Sequence, residues 1–126
     1  MVNSGFEFLE IDDGLVKLSA SEKDKKDIIN FLEYAMSENI VYYEALVSYE
    51  LLKEVVASLE AQKIDNGVLS LSKSDLWSIY SMYDMHRSMK DEYDNFPEGF
   101  DRILFPLNKA FNAAFPKKNT ADGGER

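Results

Sequence analysis

Residues 11–22 read IDDGLVKLSASE, and residues 64–75 read IDNGVLSLSKSD. Six of the twelve positions are identical, and four more keep the chemical type of the side chain. The spacing is 53 residues, and one further step of the same length reaches Lys117, where a polar tail begins. The phrase therefore divides the body of the chain into two candidate repeat units, 11–63 and 64–116.

The first copy predicts a β-hairpin over residues 6–18. Asp13-Gly14 suits a two-residue hairpin turn, because both positions tolerate a positive φ. An opposite-charge pair and an apolar face support one register. That register has three cross-strand pairs: Ile11 with Val16, Leu9 with Leu18, and Glu10 with Lys17.

The second copy has two interpretations. Asn66-Gly67 either turns a second hairpin that pairs Ile64 with Leu69, or ends the preceding helix as its C-terminal cap. Helical periodicity runs close to this point and favours the cap. The hairpin interpretation stays open beside it.

Both copies end in residues that start helices. A serine followed three residues later by an acidic residue is the pattern of a capping box. Leu71 and Leu76 can also form the hydrophobic staple of the second helix start. The chain contains three such serine–acid pairs: Ser19 with Glu22, Ser21 with Asp24, and Ser72 with Asp75.

The remaining chain has helical periodicity. Residues 22–62 contain no glycine or proline, and a break is expected at the polar cluster 37–39, because an unbroken helix would be too long for this domain. A helix is expected over 73–94. Pro106 predicts that the last segment is either a kinked helix or two short ones. The predicted fold is mainly α: a compact bundle of three to five helices with a short N-terminal β-hairpin, in one domain over residues 1–116, with a disordered tail over 117–126.

The similarity of the two copies fits either duplication or convergence. Beyond the phrase the halves align only after a five-residue shift, which places Asp27 opposite Asp75. Turns and serine caps are common solutions, so convergence is favoured and duplication stays open.

Composition excludes several functions. A formal charge of −9 disfavours nucleic-acid binding, which needs clustered Lys and Arg. There is no cysteine and only one histidine, His86, which is expected in the core, so no metal, cofactor or enzyme activity is predicted. Neither calcium-loop-like turn has the required ligands, because Leu9, Ile11 and Ala20 occupy ligand positions of the first, and Ile64 and Lys73 occupy ligand positions of the second. No signal peptide or membrane span is expected, which predicts a cytoplasmic protein.

Two surfaces are candidates for binding. Aromatic residues within an acidic rim suit docking to a basic protein, and a second apolar stripe on a helix suits a contact with another copy. The residues predicted to bind a partner are Asp91, Glu92, Tyr93, Asp94, Phe96, Glu98 and Asp101. The residues predicted to form an oligomer interface are Tyr42, Tyr49, Leu52 and Val56.

The leading expectation is a small acidic module, monomeric or dimeric, that occludes a basic protein partner. Immunity proteins, antitoxins and phage-encoded inhibitors have this profile of small size, acidity and missing catalytic motifs. The first alternative is a structural helical module that forms homo-oligomers. The second is a small-molecule binder or minor enzyme.

Overall fold

Three short strands and four helices make up the described part of the chain, which in this computed structural model covers residues 5–37, 49–64, 66–88 and 100–116. The strands are β1 (Glu7–Asp12), β2 (Leu15–Ser19) and β3 (Val68–Ser72). The helices are α1 (Glu22–Ser37), α2 (Tyr49–Ala61), α3 (Lys73–Ser88) and α4 (Phe100–Ala114). The mainly α fold with an N-terminal β-hairpin is confirmed. Helix α1 ends at Ser37, the first residue of the break predicted at 37–39. The rest of that break, the part of the helix predicted over 73–94 that follows Ser88, and the tail at 117–126 lie outside the described residues.

The N-terminal hairpin turns where the sequence predicts. Asp13 and Gly14 have φ values of 54° and 79°, as a tight two-residue turn requires. Two predicted pairs, Ile11 with Val16 and Glu10 with Lys17, are confirmed. The third is wrong: an irregularity between Phe8 and Glu10 places Phe8 opposite Leu18.

The extra residue in β1 is Leu9, which is 49% exposed. A bulge inserts one unpaired residue and changes which side chains face the core. Phe8 packs against the core in place of Leu9. The bulge thus places the larger, aromatic side chain of Phe8 against the core and leaves the side chain of Leu9 exposed.

The second copy of the phrase supplies an edge strand and no second hairpin. β3 pairs antiparallel with β2, so the sheet order is β1-β2-β3. Both interpretations of Asn66-Gly67 are therefore wrong: α2 ends at Ala61, well before Gly67, and Leu69 pairs with Leu18. Gly67 has a φ of 71°, and its carbonyl accepts a 2.8 Å hydrogen bond from the Ala20 N–H. This bond continues the β2–β3 pairing by one step.

Serine caps begin α1 and α3, as predicted. The Asp24 N–H donates to the Ser21 Oγ at 3.1 Å, and the Ser21 N–H donates to the Asp24 Oδ2 at 2.8 Å. This reciprocal pair is a capping box. At α3 the Asp75 N–H donates to the Ser72 Oγ at 3.0 Å. Burial raises the pKa of the Asp75 carboxyl, and nearby Glu54 adds to that effect.

Side chains hold the connection between α2 and β3. Gln62 donates from its Nε2 to the Ser70 carbonyl at 2.9 Å and accepts from the Ser70 N–H at 2.7 Å. Lys25 donates to the Gln62 carbonyl at 2.6 Å, and the Ile64 N–H donates to Glu22 at 3.0 Å. That backbone bond lowers the pKa of the Glu22 carboxyl. Gln62 thus satisfies part of the exposed edge of β3, which otherwise presents unpaired backbone groups.

The core lies between the inner face of the sheet and the helices. Alternate strand residues point inward, as the period of two requires. The helices contribute residues at spacings of three and four. The completely buried members include Val16, Leu18, Leu69, Ile28, Leu32, Leu52, Leu76, Ile79 and Leu107.

Helix α4 is one helix with Pro106 inside it, so the prediction of two short helices is wrong. Arg102, in its first turn, joins α4 to the start of α1. Its Nη1 donates to the Asp24 carboxylate and its Nη2 to the Asp27 Oδ2 at 2.9 Å. The Asp24 side chain is only 7% exposed. Its two carboxylate oxygens accept hydrogen bonds from the Ser21 N–H and from the Arg102 guanidinium.

The described chain repeats the order strand, helix, helix. The first βαα unit is β2, α1 and α2, and the second βαα unit is β3, α3 and α4. Lys17 and Ser70, which occupy equivalent places in the twelve-residue phrase, face each other across the two strands. The antiparallel pairing therefore relates β2 and β3 by a local two-fold axis near this pair.

The helices of the two units correspond with a spacing of 51 residues. α1 and α3 begin at Glu22 and Lys73, directly after their caps. This spacing pairs Asp24 with Asp75, so the five-residue shift that paired Asp27 with Asp75 is wrong. Several buried residues then coincide along both helices of each unit, whereas buried Leu104 corresponds to exposed Lys53. The coinciding pairs are Ile28/Ile79, Phe31/Met82, Leu32/Tyr83, Ala35/His86, Leu52/Ile103, Val56/Leu107 and Leu59/Ala110.

Candidate binding surface

The predicted acidic surface is represented among the described residues only by Asp101. Its side chain is exposed in the first turn of α4, where a carboxylate suits the helix N-terminus. The other predicted members, Asp91, Glu92, Tyr93, Asp94, Phe96 and Glu98, lie outside the described residues. The acidic surface stays a prediction.

The predicted oligomer interface also lies partly within and partly outside the described residues. Tyr42 and the side chain of Tyr49 lie outside the described residues. Leu52 and Val56 are 0% and 8% exposed and belong to the core of the chain itself. The described part of this stripe therefore faces inward, and the interface as a whole stays a prediction.

The only histidine in the chain lies in the core, as predicted. His86 is 0% exposed, and its ring lies 5.5 Å from the ring centres of Phe31, Tyr34 and Phe100. Burial lowers the pKa of the His86 imidazole because it disfavours the charged form. Burial likewise raises the pKa of the neighbouring Tyr83 hydroxyl well above its usual range.

Within the described ranges, no group of three or more His, Cys, Asp or Glu side chains is placed to hold a metal ion. None of the helices in that part of the chain combines the length and apolar character that a membrane crossing requires.

An aromatic face covers the outer side of α3 and α4. It consists of Tyr80, Phe105, Phe111 and Phe115, and is called the α3–α4 face below. Tyr80 and Phe111 stack with ring centres 4.5 Å apart, and Phe111 lies 5.0 Å from Phe115. Phe105 is 66% exposed, the highest fraction among the large hydrophobic side chains of the described residues, and Phe115 is 37% exposed. Such clustering of exposed apolar side chains marks interaction sites more often than scattered single ones do.

Polar contacts fix the position of this face. The Tyr80 hydroxyl donates to the Asn108 Oδ1 at 2.8 Å, which joins the two helices. Burial raises the pKa of the Tyr80 hydroxyl, with a smaller contribution from Asp84. Arg87 donates to the Asp84 Oδ1 at 2.6 Å, and this bond raises the pKa of the guanidinium. The hydrogen bond to Asn108 therefore fixes the position of the Tyr80 ring between the two helices.

A small cavity opens beside Phe105. Its volume is about 70 Å³, and its lining residues are Tyr80, Arg87, Leu104, Phe105 and Asn108. This volume accommodates the end of one side chain and is far below the size of a typical ligand pocket of about 300–1,000 Å³.

The chain matches no protein-family model, no curated protein and no solved structure. Its function is therefore inferred from its own residues.

The sequence contains a signal for the α3–α4 face, which is the position of Phe105 relative to the inner stripe of α4. The inner stripe of α4 follows Phe100, Ile103, Leu104 and Leu107, and Phe105 lies off that stripe. A large aromatic residue outside the inner stripe of an amphipathic helix is placed to face solvent. Tyr80 is half-buried and packs against the core, and its hydroxyl reaches Asn108.

Proposed function

We propose that this protein is a small acidic binding protein that occludes the surface of a basic protein partner. The observation that carries the proposal is the exposed aromatic face, with Phe105 66% exposed, on a chain whose formal charge is −9. Aromatic side chains are enriched among the residues that dominate binding energy at protein interfaces. The excess negative charge accelerates encounter with a positively charged partner.

The same features set the class of partner. A nucleic acid would be repelled by the acidic chain, whereas a basic protein would be attracted. Immunity proteins, antitoxins and inhibitors act by occlusion and need no catalytic group of their own. An inhibitory role of this kind is the form of the proposal that the chain's size and charge support best.

A capture and reconstitution experiment tests the proposal. The tagged chain is used to capture partners from cells of its source, and each captured protein is then purified and mixed with the untagged chain. We expect a basic protein that forms a defined complex, whose association rate falls about tenfold or more between low and high salt, because screening weakens electrostatic steering.

The mass of the chain alone is the necessary control. Light scattering is expected to give the monomer mass of 14.4 kDa. A larger mass that is insensitive to salt, together with no basic partner in reconstitution, would favour the structural oligomer and contradict the proposal.

A further inference from the structure

We infer that the α3–α4 face is the docking surface of this protein, and that it receives an apolar anchor side chain of a basic partner beside Phe105. The inference rests on the proposed function and adds to it the location and chemistry of the contact. This face lies on the second βαα unit.

The shared order of strand, helix and helix in the described parts of the two units provides an internal comparison. Four positions of the second unit carry Trp77, Tyr80, Phe105 and Phe111. The positions 51 residues earlier, in the first unit, carry Lys26, Ile29, Glu54 and Glu60. Core packing accounts for the first two positions, because Trp77 and Tyr80 pack against the core and Ile29 is buried in it. The other two positions differ: Phe105 is 66% exposed and Phe111 half-buried, where the first unit carries exposed Glu54 and Glu60.

The equivalent face of the first unit has a wider groove of about 490 Å³ with a largely charged lining. Its groove between α1 and α2 is open and is lined by residues that include Lys23, Lys26 and Glu60. Lys23 also pairs with Asp27 at 3.1 Å. Charged side chains with long flexible stems are depleted at the centres of protein interfaces. Among the described residues, the exposed aromatic side chains, Phe105 and Phe115, lie within and directly after α4.

The partner is assigned by charge and by cavity size. A second copy of this chain would bring another formal charge of −9, so self-association is opposed by repulsion, and a basic partner is favoured. Close to the cavity the charges balance, because Arg87 is paired with Asp84. The contact beside Phe105 therefore suits an apolar side chain, while the charge of the whole chain acts at longer range.

This division of roles predicts separate kinetic effects. Charges far from the contact change mainly the association rate, whereas a central aromatic contact changes mainly the dissociation rate. Removal of Phe105 should therefore accelerate dissociation. A rise in salt concentration should slow association and leave dissociation nearly unchanged.

The experiment uses a synthetic fourteen-residue peptide of alternating Lys and Leu pairs as a basic, apolar probe. Stopped-flow fluorescence of Trp77, the only tryptophan, follows binding. Phe105→Glu is compared with Ala57→Glu, which adds the same charge at an exposed position on the equivalent face of the first unit. Phe105→Ala serves as a second variant that adds no charge, and thermal melting confirms that each variant folds.

We expect both Phe105 variants to raise the dissociation rate about thirtyfold, as for a central aromatic hot spot, and Ala57→Glu to leave it unchanged. Equal dissociation rates for all variants, with salt-dependent association intact, would overturn this inference and leave the proposed function standing. Absence of any salt-dependent binding to the peptide and to basic proteins would contradict both. Faster association after removal of residues 117–126, or dimerisation through Phe105, would overturn the inference by identifying another occupant of the face.

Discussion

The ion pairs of Arg102 should stabilise the fold measurably, although the side chain is 42% exposed. Arg102→Met removes the charge and keeps much of the apolar stem, so that the loss of the pairs is measured with little loss of packing. Exposed ion pairs contribute about 0–1 kcal/mol, and breaking a buried pair costs about 3–5 kcal/mol. Asp24 is 7% exposed and Asp27 is 15% exposed, so the site lies between these limits. After discounting for the solvent around Arg102, we expect the free energy of unfolding to fall by about 1–2 kcal/mol.

Urea denaturation followed by circular dichroism measures this loss, with Arg87→Met as the matched control. Arg87 pairs with Asp84 through side chains that are 56% and 44% exposed, so its loss should cost less than about 0.5 kcal/mol. Both variants remove one positive charge from the same acidic chain, which cancels the effect on overall charge. A double-mutant cycle of Arg102→Met with Asp24→Asn should give a coupling of about 1 kcal/mol. Equal losses for Arg102→Met and Arg87→Met, or a coupling near zero, would refute the reasoning.

Three further predictions concern the core, the sheet edge and the hairpin turn. Because burial lowers the pKa of the His86 imidazole, the unfolded state binds more protons than the folded state below the ordinary pKa of 6.5. The free energy of unfolding should therefore fall as the pH drops below that value, by up to about 1.4 kcal/mol per pH unit. His86→Leu should remove this part of the pH dependence in urea titrations. Gln62→Glu should lower the free energy of unfolding by about 1–2 kcal/mol, because a carboxylate cannot donate to the Ser70 carbonyl. The substitution should also accelerate hydrogen exchange of the Ser70 amide, and unchanged exchange would contradict the role of Gln62 at the edge of β3. Gly14→Ala should cost about 1–2 kcal/mol through its positive φ of 79° alone, since nothing lies within 4 Å of an added Cβ; a thermal melt unchanged from the parent would refute this.

The features predictable from sequence are those set by near neighbours in the chain. The turn at Asp13-Gly14 and the caps at Ser21 and Ser72 depend on a few adjacent residues, and all three are observed. Hydrophobic periodicity likewise predicted a mainly helical fold, because it reflects burial on one side of each helix. Local chemistry was therefore enough for the architecture.

The features that were wrong depend on contacts between distant residues. The place of Leu9 depends on the fit of Phe8 into the core, and the role of Gly67 depends on the pairing of β3 with β2. Neither contact leaves a signal near the residue concerned. The correspondence of the two units was obscured because the spacing changes from 53 in the strands to 51 in the helices. The exposed position of Phe105 was readable from the helical stripe and would have indicated the α3–α4 face.

Side-chain footprinting of the complex tests the central claim, that this protein binds a basic partner through the α3–α4 face, most directly. Carbene labelling of the chain alone and in complex with its purified basic partner reports the exposure of each side chain. Phe105 and Tyr80 should be labelled in the free protein and protected in the complex, while the exposed Glu54 and Lys26 of the first unit should be labelled equally in both. Protection of the first unit with unchanged labelling of Phe105 would contradict the account.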